Sequence, residues 1–320
     1  VIALVTGATG QDGIYLSRLL AATGVEVLAG VRPEVARLAS PARHGRRLAY
    51  LAHQRITPVP LDVTDTAAFA ALLRARQIDE VYHLAAVSSV ARSWEDPRTT
   101  AAVNADAVEG MLAAVRHVRP TTRFFQASSV QAGPSSPYAA AKLAAEGSVS
   151  DARRRGVFAV AGRLANHESP LRPPDFVSRR IARAAASGAV LDIGSLSPER
   201  DWAHARDHVA AMPLLLRLPE PLDADICTGV RQPLRSLAHA AYRAAGLSPD
   251  EYVVETDTAA RPADPISVGG SPDALRRATG WRARTSVAEL MAEMVAVERR
   301  RLASGIEDDV DYIHDFEGPR

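Results

Sequence analysis

Apolar residues along this chain gather in short runs separated by longer amphipathic stretches. The first run, Val1 to Thr6, reads VIALVT and stops at Gly7. From Ile14 to Thr23 the apolar residues Ile14, Leu16, Leu19 and Leu20 are interleaved with Ser17 and Arg18. That spacing predicts a helix, and Gly24 supplies its stop. A second strand is expected over Val25 to Val31. Further strands follow at Thr57 to Leu61, Val81 to Ala86, Phe124 to Ala127 and Val157 to Leu164. Helices are expected between them at Ala67 to Arg76, Thr100 to Val118 and Tyr138 to Arg155. Strands alternating with helices in this way form βαβ units. Residues 1–165 therefore read as an α/β domain, a doubly wound parallel sheet of Rossmann type.

After Ala165 the rhythm changes. Proline becomes dense, as in SPLRPP, LPEPL and RPADP. Helices are expected at Pro174 to Ser187, His204 to Leu218, Leu234 to Ala245, Pro272 to Thr279 and Val287 to Leu302, with short strands between. Residues 166–320 read as a smaller α+β substrate lobe, some segments returning to the first sheet. The acidic end, Glu307 to Arg320, reads as a docked or frayed tail.

Composition narrows the function. Lys+Arg 38 against Asp+Glu 37 leaves a net charge of +1, with no basic excess to neutralise nucleic-acid phosphates or a membrane surface. Cys227 is the single cysteine, which rules out an intramolecular disulfide and a thiolate metal cluster. No signal-peptide pattern and no membrane-length apolar run is seen, so a cytoplasmic setting is expected. The opening directly on a strand suggests a few native residues ahead of Val1. The nine histidines read as scattered, without H-x-x-x-H or H-E-x-x-H spacing, and no metal is expected.

Candidate chemistry begins at the first turn. TGATGQDG, Thr6 to Gly13, joins the first strand to the first helix, with glycines at 7, 10 and 13. Glycine permits a tight turn and a close backbone approach to a pyrophosphate, which the helix N-terminus then faces. Gly7, Thr9, Gly10, Gln11, Asp12, Gly13 and Ile14 are the expected dinucleotide contacts. The second strand ends in AGVR, without an acid and with Arg32; an arginine there suits a 2′-phosphate and favours NADP over NAD. Asp62, followed by Val63, is placed to accept from an adenine amino group, while Asp65 is the better helix cap. Leu84, Ala85, Ala86 and Ser88, at the end of the fourth strand, leave room for the cofactor.

The redox candidates lie in Gln126 to Lys142, QASSVQAGPSSPYAAAK. Tyr138 and Lys142 are four apart, on one helix face. Lys142 is the only lysine, the other 37 of the 38 basic residues being arginine. That suggests a site needing a compact ammonium. Lys142 is expected to lower the Tyr138 pKa, so that Tyr138 exchanges a proton with a carbinol while Ser129 orients the oxygen.

These segments carry a family resemblance. With LDVTD, EVYHLAAVSSV, RFFQASS, SPYAAAKL, NHESP, RDWAHARDHVAAM and RPAD, the chain resembles extended short-chain dehydrogenases acting on nucleotide sugars. GQDG and NHESP point to the GDP-mannose 4,6-dehydratase branch. The resemblance implies cofactor contacts from His167 and Arg172. It implies substrate contacts from Ser88, Asn166, Arg180, Arg200 and Arg261, the arginines suiting a nucleotide diphosphate. It also implies a homodimer or homotetramer, with the helix Ala101 to Arg116 in the interface.

The chain departs from that branch near the sugar. The dehydratases normally carry Thr-Ser-Glu after the strand, the glutamate removing the C5 proton. Here the positions read Ser129, Val130, Gln131, and a glutamine cannot take that proton. The loop before Tyr138 is shortened, the segment before LDIGS is trimmed, and Val87 and Ser89 replace the usual Gln and His. Hydride transfer at C4 remains expected, whereas conventional elimination is in doubt. A 4-epimerase or an NADPH-dependent 4-keto-sugar reductase is the alternative. A non-catalytic cofactor-binding homologue is a further one.

Overall fold

A computed structural model describes residues 1–36, 46–256 and 267–313. The first half runs β1 (Ile2–Thr6), α1 (Gln11–Ala22), β2 (Glu26–Val31), β3 (Ile56–Pro60), α2 (Thr66–Arg76), β4 (Glu80–His83), α3 (Ala107–Val118), β5 (Arg123–Ser129), α4 (Pro137–Arg154) and β6 (Ala159–Leu164). Every strand in this set pairs in parallel. Parallel strands covered on both faces must be apolar throughout. β1 and β2 are nearly so, with Thr6 and Glu26 their only polar residues and only the first residue of each not buried.

The second half continues with β7 (Asn166–Glu168), α5 (Val177–Ser187), β8 (Leu191–Ile193), β9 (Glu199–His204), α6 (Ala205–Leu216), β10 (Ala224–Ile226), β11 (Arg231–Pro233), α7 (Leu234–Ala245), β12 (Val253–Glu255), β13 (Ser267–Val268), α8 (Asp273–Thr279) and α9 (Val287–Ser304). The main sheet has seven strands in the order β10-β6-β5-β4-β1-β2-β3. Its strand order reverses between β1 and β4, the crevice where doubly wound folds bind ligands. β10 adds to β6 as the seventh strand. One sheet face packs on α1 and α6, the other on α2, α3 and α4. A third apolar cluster joins α5, α7 and α9 through Ile181, Leu237, Tyr242 and Met291.

Among the boundaries that differ from the sequence reading, three have a clear local reason. α1 starts at Gln11 rather than Ile14, because Gly10 is extended (φ −73, ψ 170) and takes the N-cap position. GQDG thus becomes the first helical turn. β4 ends at His83 rather than Ala86, because the Thr6 hydroxyl accepts the N–H groups of Leu84 and Ala85 at 3.1 and 3.2 Å. The helix expected from Thr100 breaks into a short helix at Pro97–Ala101, a π-turn at Ala102–Asp106, and α3. Among the described residues no helix is long and apolar enough to cross a membrane.

Candidate active site

The glycine turn shows the cradle that a dinucleotide needs. Gly7 has φ +67, and a Cβ added there would lie 2.9 Å from the Ala85 nitrogen. A Cβ on Gly13 would lie 2.3 Å from the Gly7 carbonyl oxygen. Glycine is therefore obligatory at both ends of the turn. Gly10 caps α1 without a side chain, so the first-turn N–H groups face the crevice with no intrahelical acceptor. The residues fit a bound pyrophosphate.

Not every expected cofactor contact behaves alike. Ile14 is fully buried in the core, and its N–H is bonded to the Gly10 carbonyl at 3.1 Å. It holds the turn from beneath. Val63 is a core side chain as well. Thr9 is buried within the turn. Leu84, Ala85 and Ala86 are half-buried at the strand end, and Ser88 is exposed. Asp62 closes its own turn, accepting from the Thr64 N–H at 2.9 Å and the Thr64 hydroxyl at 2.7 Å, which lowers its pKa. Asp65 caps α2 through the Ala68 N–H at 2.9 Å. Arg32 lies near enough to act on Asp62 and pairs with Glu34 at 3.2 Å. The β2 end is thus not free of acid, since Glu34 folds back beside the arginine.

GQDG and NHESP, far apart in sequence, lock together. Gln11 Nε2 donates to the His167 carbonyl at 3.1 Å, and the Ser169 hydroxyl donates to Gln11 Oε1 at 2.8 Å. His167 Nε2 meets Asp12 at 2.9 Å, and its Nδ1 meets the Ala165 carbonyl at 2.7 Å. Burial opposes both charges, yet the pair overrides it. Asp12 is held down at about 2 and His167 is raised. The Gln11, Asp12 and His167 side chains therefore fasten the two segments to each other. His208 stacks on His167 with ring centroids 4.7 Å apart. His204 and His208 do stand in H-x-x-x-H spacing, which corrects the reading that the histidines show none. His204 pairs with Glu293 at 3.2 Å. Among the described residues no three His, Cys, Asp or Glu side chains group as metal ligands.

The redox stretch is built by its own caps. Ser136 is extended and accepts the Ala139 N–H at 3.1 Å, and Pro137 occupies the first helical position. These residues start α4, putting Tyr138 in its first turn and Lys142 one turn deeper. β5 ends as the Ser129 hydroxyl accepts the Gln131 N–H at 3.1 Å. Ser129 also hydrogen-bonds Tyr138. Lys142 is buried, donates to the Ala127 carbonyl at 2.7 Å, and lies 5.9 Å from the Tyr138 ring centroid. Gln131 is half-buried beside Ser129.

The electrostatics correct one expectation. Tyr138 is raised, not lowered. Burial pushes it up most; the Ser129 hydrogen bond and the Arg172 charge pull it down, and Asp12 pushes it up. Lys142 is itself brought down to about 8 by burial. The lysine gives one of its three N–H donors to a backbone carbonyl, and desolvation of the phenol outweighs the charges around it.

Among the residues implied by resemblance, Arg172 pairs with Glu168 at 2.9 Å and covers Phe176 at 3.9 Å, and its charge reaches Tyr138. Asn166 is half-buried opposite Trp202 in the β7–β9 pair, two residues beyond the buried Arg200. Arg200 donates to the Glu199 carbonyl at 2.7 Å. Arg180 is exposed on α5. Arg261 lies outside the described residues. One residue was missed: Asn104, in the π-turn, grips the Val87 backbone from both sides at 2.8 and 3.0 Å. It fixes the loop carrying Ser88. Its signal is a buried amide inside an apolar helical run, and π-turns mark functional sites.

Residues 4–294 match the family model described as GDP-mannose 4,6 dehydratase. The GDP-mannose 4,6-dehydratase of Sinorhizobium fredii is 33% identical over 340 residues, covering 92% of this chain and 95% of the relative. The chain belongs to the GDP-mannose 4,6-dehydratase family. A Yersinia enterocolitica member is also 33% identical, covering 92% of each chain. Among solved structures, the Thermus thermophilus UDP-glucose 4-epimerase complex with NAD superposes with a TM-score of 0.78 at 25% identity, covering 93% of this chain and 99% of that one. Membership and fold together make this dehydratase-family chain an extended short-chain dehydrogenase of the nucleotide-sugar type.

Proposed function

We propose that this family member works on a GDP-linked hexose at sugar C4, with NADP as cofactor, and does not eliminate water by the family's usual route. The observation that carries the reading is the Ser129, Tyr138 and Lys142 set at the mouth of the glycine turn, next to a glutamine at 131. Bound NADP supplies the hydride acceptor and donor. Tyr138 takes the proton of the C4 hydroxyl and returns it. Ser129 holds the substrate oxygen against Tyr138. Lys142, anchored on Ala127, holds the nicotinamide ribose and favours charge on the phenol once the site is filled. Gln131 orients the sugar but takes no C5 proton. No other carboxylate lies between Ser129 and Tyr138.

NADP is preferred because the Arg32 side chain is 64% exposed at the β2 end and its partner Glu34 is 59% exposed. Such a surface pair is weak, and a 2′-phosphate displaces the carboxylate readily. Self-association through the α3 and α4 face is part of this reading, and the 49% exposure of Leu143 supports it.

The test is product analysis after incubation with GDP-mannose and, separately, its 4-keto-6-deoxy derivative with NADPH. Unchanged substrate mass with inverted C4 marks an epimerase, and stoichiometric NADPH consumption marks a reductase. Gln131→Glu is expected to produce loss of one water where the native protein does not. Water loss by the native protein would overturn the role given to Gln131.

A further inference from the structure

The loop following NHES is held from below in an unusual way. Three consecutive carbonyls each accept from a different buried arginine. Arg301 Nη2 donates to Pro170 O at 2.7 Å, Arg47 Nη2 to Leu171 O at 2.6 Å, and Arg179 Nη1 to Arg172 O at 3.0 Å. Those arginines come from three separate parts of the chain. Their charges are met by Glu298, which takes Arg179 Nε at 2.7 Å and Arg301 Nη1 at 2.6 Å, and by two residues beyond α9. Asp308 pairs with Arg47 at 3.0 Å, with both side chains essentially inaccessible, and Glu307 pairs with Arg179 at 2.7 Å. The Glu307 carbonyl also accepts from Arg301 Nε at 2.8 Å. Tyr312 closes the segment onto α9, its hydroxyl donating to the Ile306 carbonyl at 2.9 Å.

Buried ion pairs are a poor way to gain stability, since apolar side chains of like volume hold elements together as well or better. They are a good way to fix a backbone, because a guanidinium fork reaches a carboxylate and a carbonyl at once. The backbone fixed here has its other side on the site. Ser169 bonds Gln11, His167 bonds Asp12, and the Arg172 charge reaches Tyr138.

We propose that the segment at Glu307 and Asp308 is a positioning element for the active site. Through Arg47, Arg179 and Arg301 it fixes Pro170 to Arg172, and so holds the Arg172 charge within reach of Tyr138 and seats NHES against the cofactor turn. The inference rests on the proposed function only in giving Tyr138 a reaction to serve. The groups acting on Tyr138 are Ser129 from β5, Arg172 from the loop, Asp12 from α1 and Lys142 from its own helix.

Two variants of the full chain test it. Glu307→Gln removes a partly exposed charge. Arg47→Met with Asp308→Leu removes a buried pair without stranding either charge. The phenol of Tyr138 is titrated by NMR of tyrosine-labelled protein without cofactor, and NADPH affinity is measured by fluorescence. With Arg172 released, the Tyr138 midpoint is expected to rise by about half a pH unit or more, and NADPH binding to weaken about tenfold, in both variants. A double variant that melts at or above the native temperature yet shifts both readouts supports positioning over mere stability. Unchanged Tyr138 titration and NADPH affinity in the folded double variant would overturn the proposal. Neither readout needs a sugar, so failure of native turnover on GDP-sugars would sink the proposed function and leave this inference standing.

Discussion

Lys142 carries a charge at a site only 4% exposed. Burial brings its pKa from 10.5 to about 8, against the pull of Asp12 and Glu146. The unfolded chain therefore binds the proton more tightly, and native stability rises with pH between about 8 and 10.5. Lys142→Met is expected to abolish turnover and to melt later than the native protein at pH 7, the gain shrinking as pH climbs through that window. Thermal melts across pH check this. An earlier melt at pH 7 would mean that the Ala127 hydrogen bond outweighs the burial cost. Tyr138→Phe is expected to lose turnover while still binding NADPH, since the phenol oxygen serves the proton step and not the dinucleotide cradle. At this scale much was legible. A lone lysine four residues after a tyrosine needs no neighbours to be noticed. The direction of the Tyr138 shift was not legible, because desolvation depends on what the fold stacks above the ring.

At the scale of elements, α1 and the NHES strand end are joined by Asp12 and His167. His167 is raised above 6.5, so its share of stability is complete below that pH and is lost as pH rises through the raised value. Asp12 stands at about 2, so its share persists above the ordinary carboxylate range and fails only as pH falls through 2. The destabilisation caused by His167→Gln is therefore expected to be largest between about pH 4 and 6.5 and to shrink in alkaline buffer, as melting temperatures at each pH report. Sequence marked GQDG and NHESP as separate segments with expected ligand contacts. Their side chains also bind each other, which no spacing within either segment encodes. The elements themselves were easier to read. Ser136 and Pro137 announce the start of α4, and nearly all-apolar strands announce a sheet covered on both faces. The end of β4 was misjudged because a threonine one strand away takes its N–H groups.

At the scale of the molecule, residues 1–165 do not close their own sheet. β10 pairs with β6, and α6 covers the β1 to β6 face with Val209, Met212 and Leu215. Asp223 ties β6 further, taking the Ala161 N–H at 2.7 Å and Arg153 in a two-point pair at 2.7 and 2.6 Å. A fragment ending at residue 165 is expected to be unfolded or aggregated, with no cooperative urea transition, because the part of one sheet face that α6 covers and one edge lie bare. A soluble, cooperatively melting fragment would show that the first half is self-sufficient.

The sequence by itself determined what local chemistry encodes: the strand-helix alternation, the glycine turn, the caps that set Tyr138 and Lys142 one turn apart, and the absence of a carboxylate at position 131. These rest on backbone geometry and side-chain type within a few residues, where no distant partner intervenes. Only the tertiary structure decided which charges are buried and which partners they keep. It turned Gln11, Asp12 and His167 inward, raised Tyr138, brought β10 back to the sheet, and set Glu307 and Asp308 beneath the site. Burial and pairing depend on contacts between segments more than a hundred residues apart, and a pattern read along the chain carries no record of them.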